Sequence, residues 1–204
     1  MKTNILMLLL LILFNYLIAD ANDSNIEIVG RMIEIKNSSI NQFLTGYQGK
    51  TILLLADGTN DANDVVISYL QSILQKSGQS IKVITNAQDA ASGITMRVKI
   101  IDINIGYSSK KRKYFIGKQV VKRVSKLTLL LSLTNPDGNI IATSKIISEI
   151  NDELPLDTAL LYQNSNYKFS NPKLPESHSS ILEPIVVTGI VGTLIYIFYA
   201  NKEK

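Results

Sequence analysis

Apolar residues dominate two charge-free segments at the ends of this chain, residues 5–19 and 184–200, the first interrupted by Asn15, and form periodic patterns between them. Within residues 24–44, Val29, Met32, Ile33, Ile40, Phe43 and Leu44 can share one helical face, and Ser24 followed by Glu27 has capping-box spacing. A helix is predicted there. The Ile26/Ile28 and Ile33/Ile35 alternation leaves a strand open as the alternative. Residues 50–56 are a short apolar run between turn residues, which predicts a strand buried on both faces. Asn60 or Asp61 can then cap a helix whose Val66, Leu70, Ile73 and Leu74 form a stripe, with Lys76 in its last turn and Gly78 at its stop. Residues 81–85 read as the next short strand, closing a βαβ-like unit.

Beyond this point the period changes from 3.6 to 2. Ile94, Met96, Val98 and Ile100 lie on one face of a long strand, and from Ile101 the phase flips to Ile101, Ile103, Ile105 and Tyr107. Such a slip predicts a β-bulge near Ile100–Ile101. Leu127, Leu129, Leu131 and Leu133 alternate cleanly, Asn135-Pro136-Asp137-Gly138 is a strong turn signal, and residues 139–150 return as the hairpin partner. The fold class expected is α+β: helix-strand-helix-strand followed by a three-stranded antiparallel meander, two helices packed on one sheet, plus a C-terminal transmembrane helix.

The end segments set the expected organisation. Lys2, the apolar stretch 5–17 and Ala19-Asp20-Ala21 have the parts of a secretory signal peptide, residues 1–21, with an uncleaved anchor helix as the alternative. Residues 184–200 are free of charge and would span about 26 Å as a helix, near the lower limit for crossing a bilayer. Tyr196, Phe198, Tyr199, Lys202 and Lys204 would sit at its cytoplasmic end; a buried hairpin or core helix is the competing reading. The expected domains are therefore an extracytoplasmic α+β domain (22–155), a polar tether (156–180), a transmembrane helix (181–200) and a cytoplasmic tail (201–204). The corresponding location is the inner membrane, single-pass, with the domain facing the periplasm or extracellular side.

Composition narrows the chemistry. The chain of 204 residues has no cysteine, which excludes disulfides, a lipidated cysteine and a thiolate metal site. Its one histidine, His178, lies in the polar stretch beside Ser179 and Ser180, so no Ser/His/acid set can be assembled around it. No cofactor is expected. Glu149, Asp152 and Glu153 read as a surface acidic cluster.

The element order, the paired long strands, the hairpin Asn135-Pro136-Asp137-Gly138-Asn139-Ile140-Ile141 and the later Asp152 resemble a broad group of bacterial envelope domains. These include the curli-secretion lipoprotein family, the flagellar outer-membrane-associated lipoproteins and the N-terminal domain of the Tol-system β-propeller protein. The resemblance covers about residues 26–155 and rests on pattern. The chain departs from the lipoprotein members in lacking their lipid-bearing cysteine, and its apolar C-terminal segment is not theirs. What the resemblance implies is a non-enzymatic α+β domain used in envelope assembly or interaction.

Two constellations remain. Asp57-Gly58-Thr59-Asn60-Asp61 follows an apolar strand and is similar to the D-G-x-N-D loop of haloacid-dehalogenase-fold phosphatases, so Asp57, Asp61 and Asp64 could serve a metal-dependent phosphatase or hydrolase. The upstream aspartyl nucleophile of that machinery is missing, and a tight turn plus a helix cap needs the same residues. The second is basic: Lys110, Lys111, Arg112, Lys113, Lys118, Lys122, Arg123 and Lys126 fall within 17 positions at an expected hairpin tip. That tip can be a solvated hairpin that blocks edge association. It can also contact an envelope protein, anionic lipid or glycan. Nucleic acid is disfavoured by the compartment. Oligomeric state is left open.

Overall fold

The computed structural model describes residues 23–86, 88–89, 93–112, 119–164, 166–175 and 191. The order is α1 (Glu27–Glu34), α2 (Asn37–Phe43), a 3-10 turn (Thr45–Tyr47), β1 (Thr51–Ala56), α3 (Asn63–Lys76), β2 (Ser80–Ile84), β3 (Ile94–Arg112), β4 (Gln119–Thr134), β5 (Ile140–Pro155), α4 (Leu156–Leu161) and a second 3-10 turn (Lys168–Ser170).

Local chemistry accounts for the element ends. Ahead of α1 the Ser24 amide donates to Glu27 Oε2 at 2.8 Å and the Glu27 amide donates to Ser24 Oγ at 3.2 Å, a reciprocal capping box. The bond from the Ser24 amide first, and the Ser24 hydroxyl second, hold the Glu27 carboxyl below its ordinary range. Asn60 Oδ1 accepts from the Ala62 amide at 2.9 Å ahead of α3. At the other end Gly78 takes φ +83°, and the Gln79 amide donates to Leu74 O at 3.0 Å, so the helix stops where a residue without Cβ permits it.

The five strands form one mixed sheet in the order β2-β1-β3-β4-β5. β1 is parallel to both β2 and β3, while β3, β4 and β5 are antiparallel neighbours. The register of β3 on β4 jumps between Ile100 and Asp102, leaving Ile101 as an extra residue, 51% exposed, while Ile100 and Ile105 stay buried. A second jump lies between Tyr107 and Ser109. Helices α1–α3 share a single core with one face of the sheet. Ile28, Met32, Ile33, Ile40, Val66, Leu70 and Leu74 meet Ile52, Leu54, Met96, Val98, Leu127, Leu129, Leu131, Leu133 and Ile146. Toward the far end of β3–β4–β5 a smaller cluster of Tyr107, Val121, Leu154 and Ala159 is covered by Leu156, Tyr162 and Leu174.

Several expectations are corrected. The sheet is mixed and five-stranded, and four α-helices are present among the described residues, so the helix-strand-helix-strand-meander class with a C-terminal transmembrane helix does not stand. The βαβ-like unit pairs β1 with β2 as expected, but placing β3 parallel on the other side of β1 is a long-range decision that local periodicity does not encode. The expected first helix divides at Lys36 (φ −98°, ψ 7°), where the apolar stripe gives way to Asn37 and two serines that favour a helix start. Residues 156–174, expected as tether, are folded onto the domain: Ala159 is fully buried and Phe169 joins the main core. Among the described residues no helix is long and apolar enough to cross a membrane. The single-pass inner-membrane location is therefore not upheld, and nearly all of the segment on which it rested, 181–200, lies outside the described residues, as do the signal segment 1–21 and the tail 201–204.

Candidate binding face

The antiparallel part of the sheet has two chemically different faces because side chains alternate with period 2. Odd positions of β4 from Val121 to Leu133 point at the helices, and even positions point away. The register carries that parity across the sheet. Lys99 lies opposite Leu130 and Leu130 opposite Lys145; Asn104 opposite Lys126 and Lys126 opposite Glu149; Ser109 opposite Lys122 and Lys122 opposite Glu153; Lys111 opposite Val120. The face turned from the helices therefore carries Arg97, Lys99, Lys111, Lys122, Lys126 and Lys145, against Asp102, Glu149 and Glu153. Lys126 Nζ meets Asp102 Oδ2 at 3.3 Å, with both side chains well exposed, so this pair adds little to stability. Ile101 and Ile147 are half exposed there. Arg97 is half-buried, and its Nε is buried without a hydrogen-bond partner.

The basic hairpin of the sequence does not form one surface. Lys111 and Lys122 are exposed on the helix-free face, whereas Lys110 lies opposite Val121, on the helix side of the register. Arg112 closes β3 opposite Gln119, and Lys113 and Lys118 lie outside the described residues. Arg123, expected as a contact residue, is fully buried.

Arg123 is instead the hub of a buried polar node. Its Nε donates to Asp152 Oδ1 at 2.9 Å and Nη2 to Asp152 Oδ2 at 2.6 Å, a bidentate pair, while Nη1 donates to Asp23 O at 2.7 Å and Asn25 Oδ1 at 3.2 Å. The Tyr107 hydroxyl shares its single proton between Asn25 Oδ1 at 3.2 Å and Ala159 O at 3.3 Å. Asn25 Nδ2 donates to Ser170 O at 3.1 Å. Burial holds the Tyr107 phenol above its ordinary range, opposed by the Asn25 hydrogen bond and the Arg123 charge. This arrangement orders the chain; all its donors point at protein acceptors. Odd parity with Leu127 and Leu129 was the available signal that Arg123 faces inward.

The aspartates of the 57–64 stretch are also engaged. Asp61 Oδ2 accepts from the Lys168 amide at 2.8 Å, and Asp64 Oδ2 accepts from the Tyr167 hydroxyl at 3.1 Å. The latter bond, first of all, raises the Tyr167 phenol. Asp57 donates its amide to Val98 O at 2.8 Å, and Gly58 takes φ +98° in the turn that follows. The loop thus fastens the 167–170 turn to the start of α3, and the three carboxylates are not gathered around one point; no group of three or more metal-ligating side chains is present among the described residues. His178 lies outside them. A groove of about 460 Å³ between α1 and α3 is lined by Asp23, Glu27, Arg31, Glu34, Tyr69 and Lys76; Arg31 Nη1 pairs with Asp23 Oδ2 at 3.0 Å across its rim.

No family model and no curated protein matches this chain. Among solved structures it is similar to a neuraminyllactose-binding hemagglutinin homolog from Helicobacter pylori, at 15% identity and a TM-score of 0.36, over 59% of this chain and 80% of that one. It is also similar to a minor lipoprotein from Acinetobacter baumannii, at 12% identity and a TM-score of 0.33, over 74% of this chain and 94% of that one.

Proposed function

We propose that this chain is a non-enzymatic binding or scaffold domain of the bacterial envelope, and that the helix-free face of β3–β4–β5 is its contact surface for an anionic component. One observation carries the proposal. Among the described residues, all three helices of the main core pack on one side of the sheet, and the face of β3–β4–β5 turned from them carries Arg97, Lys99, Lys111, Lys122, Lys126 and Lys145, which outnumber Asp102, Glu149 and Glu153. Its long strands hold these side chains in rows, and exposed Ile101 and Ile147 add apolar area between them. Support for the envelope comes from the secretory signal read at residues 1–21. Two of the three carboxylates that suggested a hydrolase, Asp61 and Asp64, are occupied in holding residues 168 and 167, which supports a structural use of that loop.

The test is photo-crosslinking in intact cells from position 101 on β3, with position 76 on α3 as control. The expected result is an adduct with an envelope component from the sheet face only, lost when Lys99, Lys111 and Lys122 are changed together to Gln. An adduct indifferent to those changes, or one formed equally from position 76, overturns the proposal.

A further inference from the structure

The sheet ends on two edges of unequal kind. β2 is five residues long, whereas β5 runs 16 residues, Ile140–Pro155, and among the described residues pairs with β4 along only one side. Long edges are normally guarded by prolines, bulges or repeated lysines, because unpaired N–H and C=O groups template further pairing. Here Pro155 stands at the last position, the one irregularity in the β4–β5 register is at the Thr134 end, and Lys145 is the only basic residue on the strand. Ile147, in the middle, is half exposed.

The pattern around Ile147 is self-complementary. In a two-fold pairing of β5 with another β5, antiparallel and with helices kept on the same side, residue i lies opposite residue 2k − i, where k is the residue on the axis. Axes at Lys145 or Glu149 set like charges against each other, and an axis at Asn151 sets Glu149 against Glu153. Axes at Ile146 or Ser148 place a charge opposite Ile147. An axis at Ile147 sets Lys145 opposite Glu149 twice, Thr143 opposite Asn151 twice, and Ile147 opposite itself; on the helix side it sets Ile146 opposite Ser148 and Ser144 opposite Ile150. Of the central registers it alone matches opposite charges with no like pair.

We propose that β5 is a homodimerisation edge: two copies join antiparallel about Ile147, making one continuous ten-stranded sheet. The inference does not rest on the anionic-partner reading, although it would double that face.

Because the chain has no cysteine, every disulfide formed by a single-cysteine variant reports a contact between copies. Residues directly opposite in an antiparallel pair have Cα atoms roughly 4.5–5.5 Å apart, within disulfide reach. In the full-length chain under mild oxidation, Ile147→Cys is expected to give a covalent dimer. Thr143→Cys alone is expected to give none, because its own copy lies about 27 Å along the strand; Thr143→Cys mixed with Asn151→Cys is expected to crosslink. In the Ile147→Cys background, Lys145→Glu should cut the dimer yield at least fivefold, and adding Glu149→Lys should restore it. Absence of the Ile147→Cys dimer, self-crosslinking of Thr143→Cys at equal yield, an indifferent Lys145→Glu, or failure of the swap to restore would each overturn the proposal.

Discussion

The Arg123–Asp152 pair offers an asymmetric test of how the domain is held together. The two partners differ in burial: the Arg123 side chain is 0% exposed and the Asp152 side chain 23%. Asp152→Ala leaves a guanidinium sealed in the protein with only Asp23 O and Asn25 Oδ1 as acceptors, neither of them charged. Removing one partner of a buried pair costs about 3–5 kcal/mol, and here the upper part of that range applies because the stranded charge has no route to water. Arg123→Met leaves a carboxylate that already touches solvent, so its hydration offsets part of the loss, and the expected cost is about 1–3 kcal/mol. Arg123→Met with Asp152→Leu removes both charges and should lie within about 2 kcal/mol of the parent. Urea unfolding followed by circular dichroism measures all three, with equal m-values required for the comparison. The reasoning fails if Asp152→Ala loses less than about 1 kcal/mol, or if Arg123→Met is the more damaging single change.

Other outcomes follow from particular contacts. A Cβ on Gly30 would lie 2.3–2.8 Å from Tyr69 ring atoms, so Gly30→Ala should lower stability by roughly 1–3 kcal/mol in thermal melts, and become neutral or favourable in a Tyr69→Ala background. Ser24→Ala should cost about 1 kcal/mol at neutral pH. Since the folded Glu27 carboxyl is depressed, its contribution is fully present above the ordinary glutamate value of about 4.3 and is lost as pH falls through the lower folded value, so the Ser24→Ala penalty should shrink in acid melts. Ser148→Ala removes a buried hydroxyl without a hydrogen-bond partner and should leave stability unchanged or raise it by up to about 1 kcal/mol; a larger loss would show a bond to that oxygen. Asp61→Ala should release the 167–170 turn, read as faster proteolysis within residues 164–171 with the global transition little moved.

Much of the local structure was legible. The Ser24/Glu27 box, the Gly78 stop and the bulge at Ile101 are each written in two to four adjacent residues, and local chemistry is sufficient to form them; Asn60 closes a turn onto the Ala62 amide, while Ala62 holds the cap position of α3. What failed was what depends on distant partners. The basic run 110–126 looks like one patch along the chain, but a period of 2 sends Lys122 outward and Arg123 inward, and the carboxylate that neutralises Arg123 is 29 residues away. Prolines and polar residues beyond 155 suggested a tether, yet Ala159 and Phe169 are enough to fasten it, because the Tyr107–Val121 end of the sheet needs a cover. The helix-free face was likewise invisible before the parity of three strands could be laid side by side.

The Arg123 node also sets a schedule. Asn25 donates to Ser170 O across 145 positions, so the beginning and the end of the domain close on the same buried charge. During synthesis Asp23 and Asn25 emerge first, wait for Arg123, then for Asp152, and finally for Ala159 and Ser170. Until residue 170 is available, Asn25 lacks one acceptor and the far end of the sheet lacks its lid. A chain delivered from its N-terminus, to whatever compartment, therefore completes this domain in a single late step and stays pliable up to that moment.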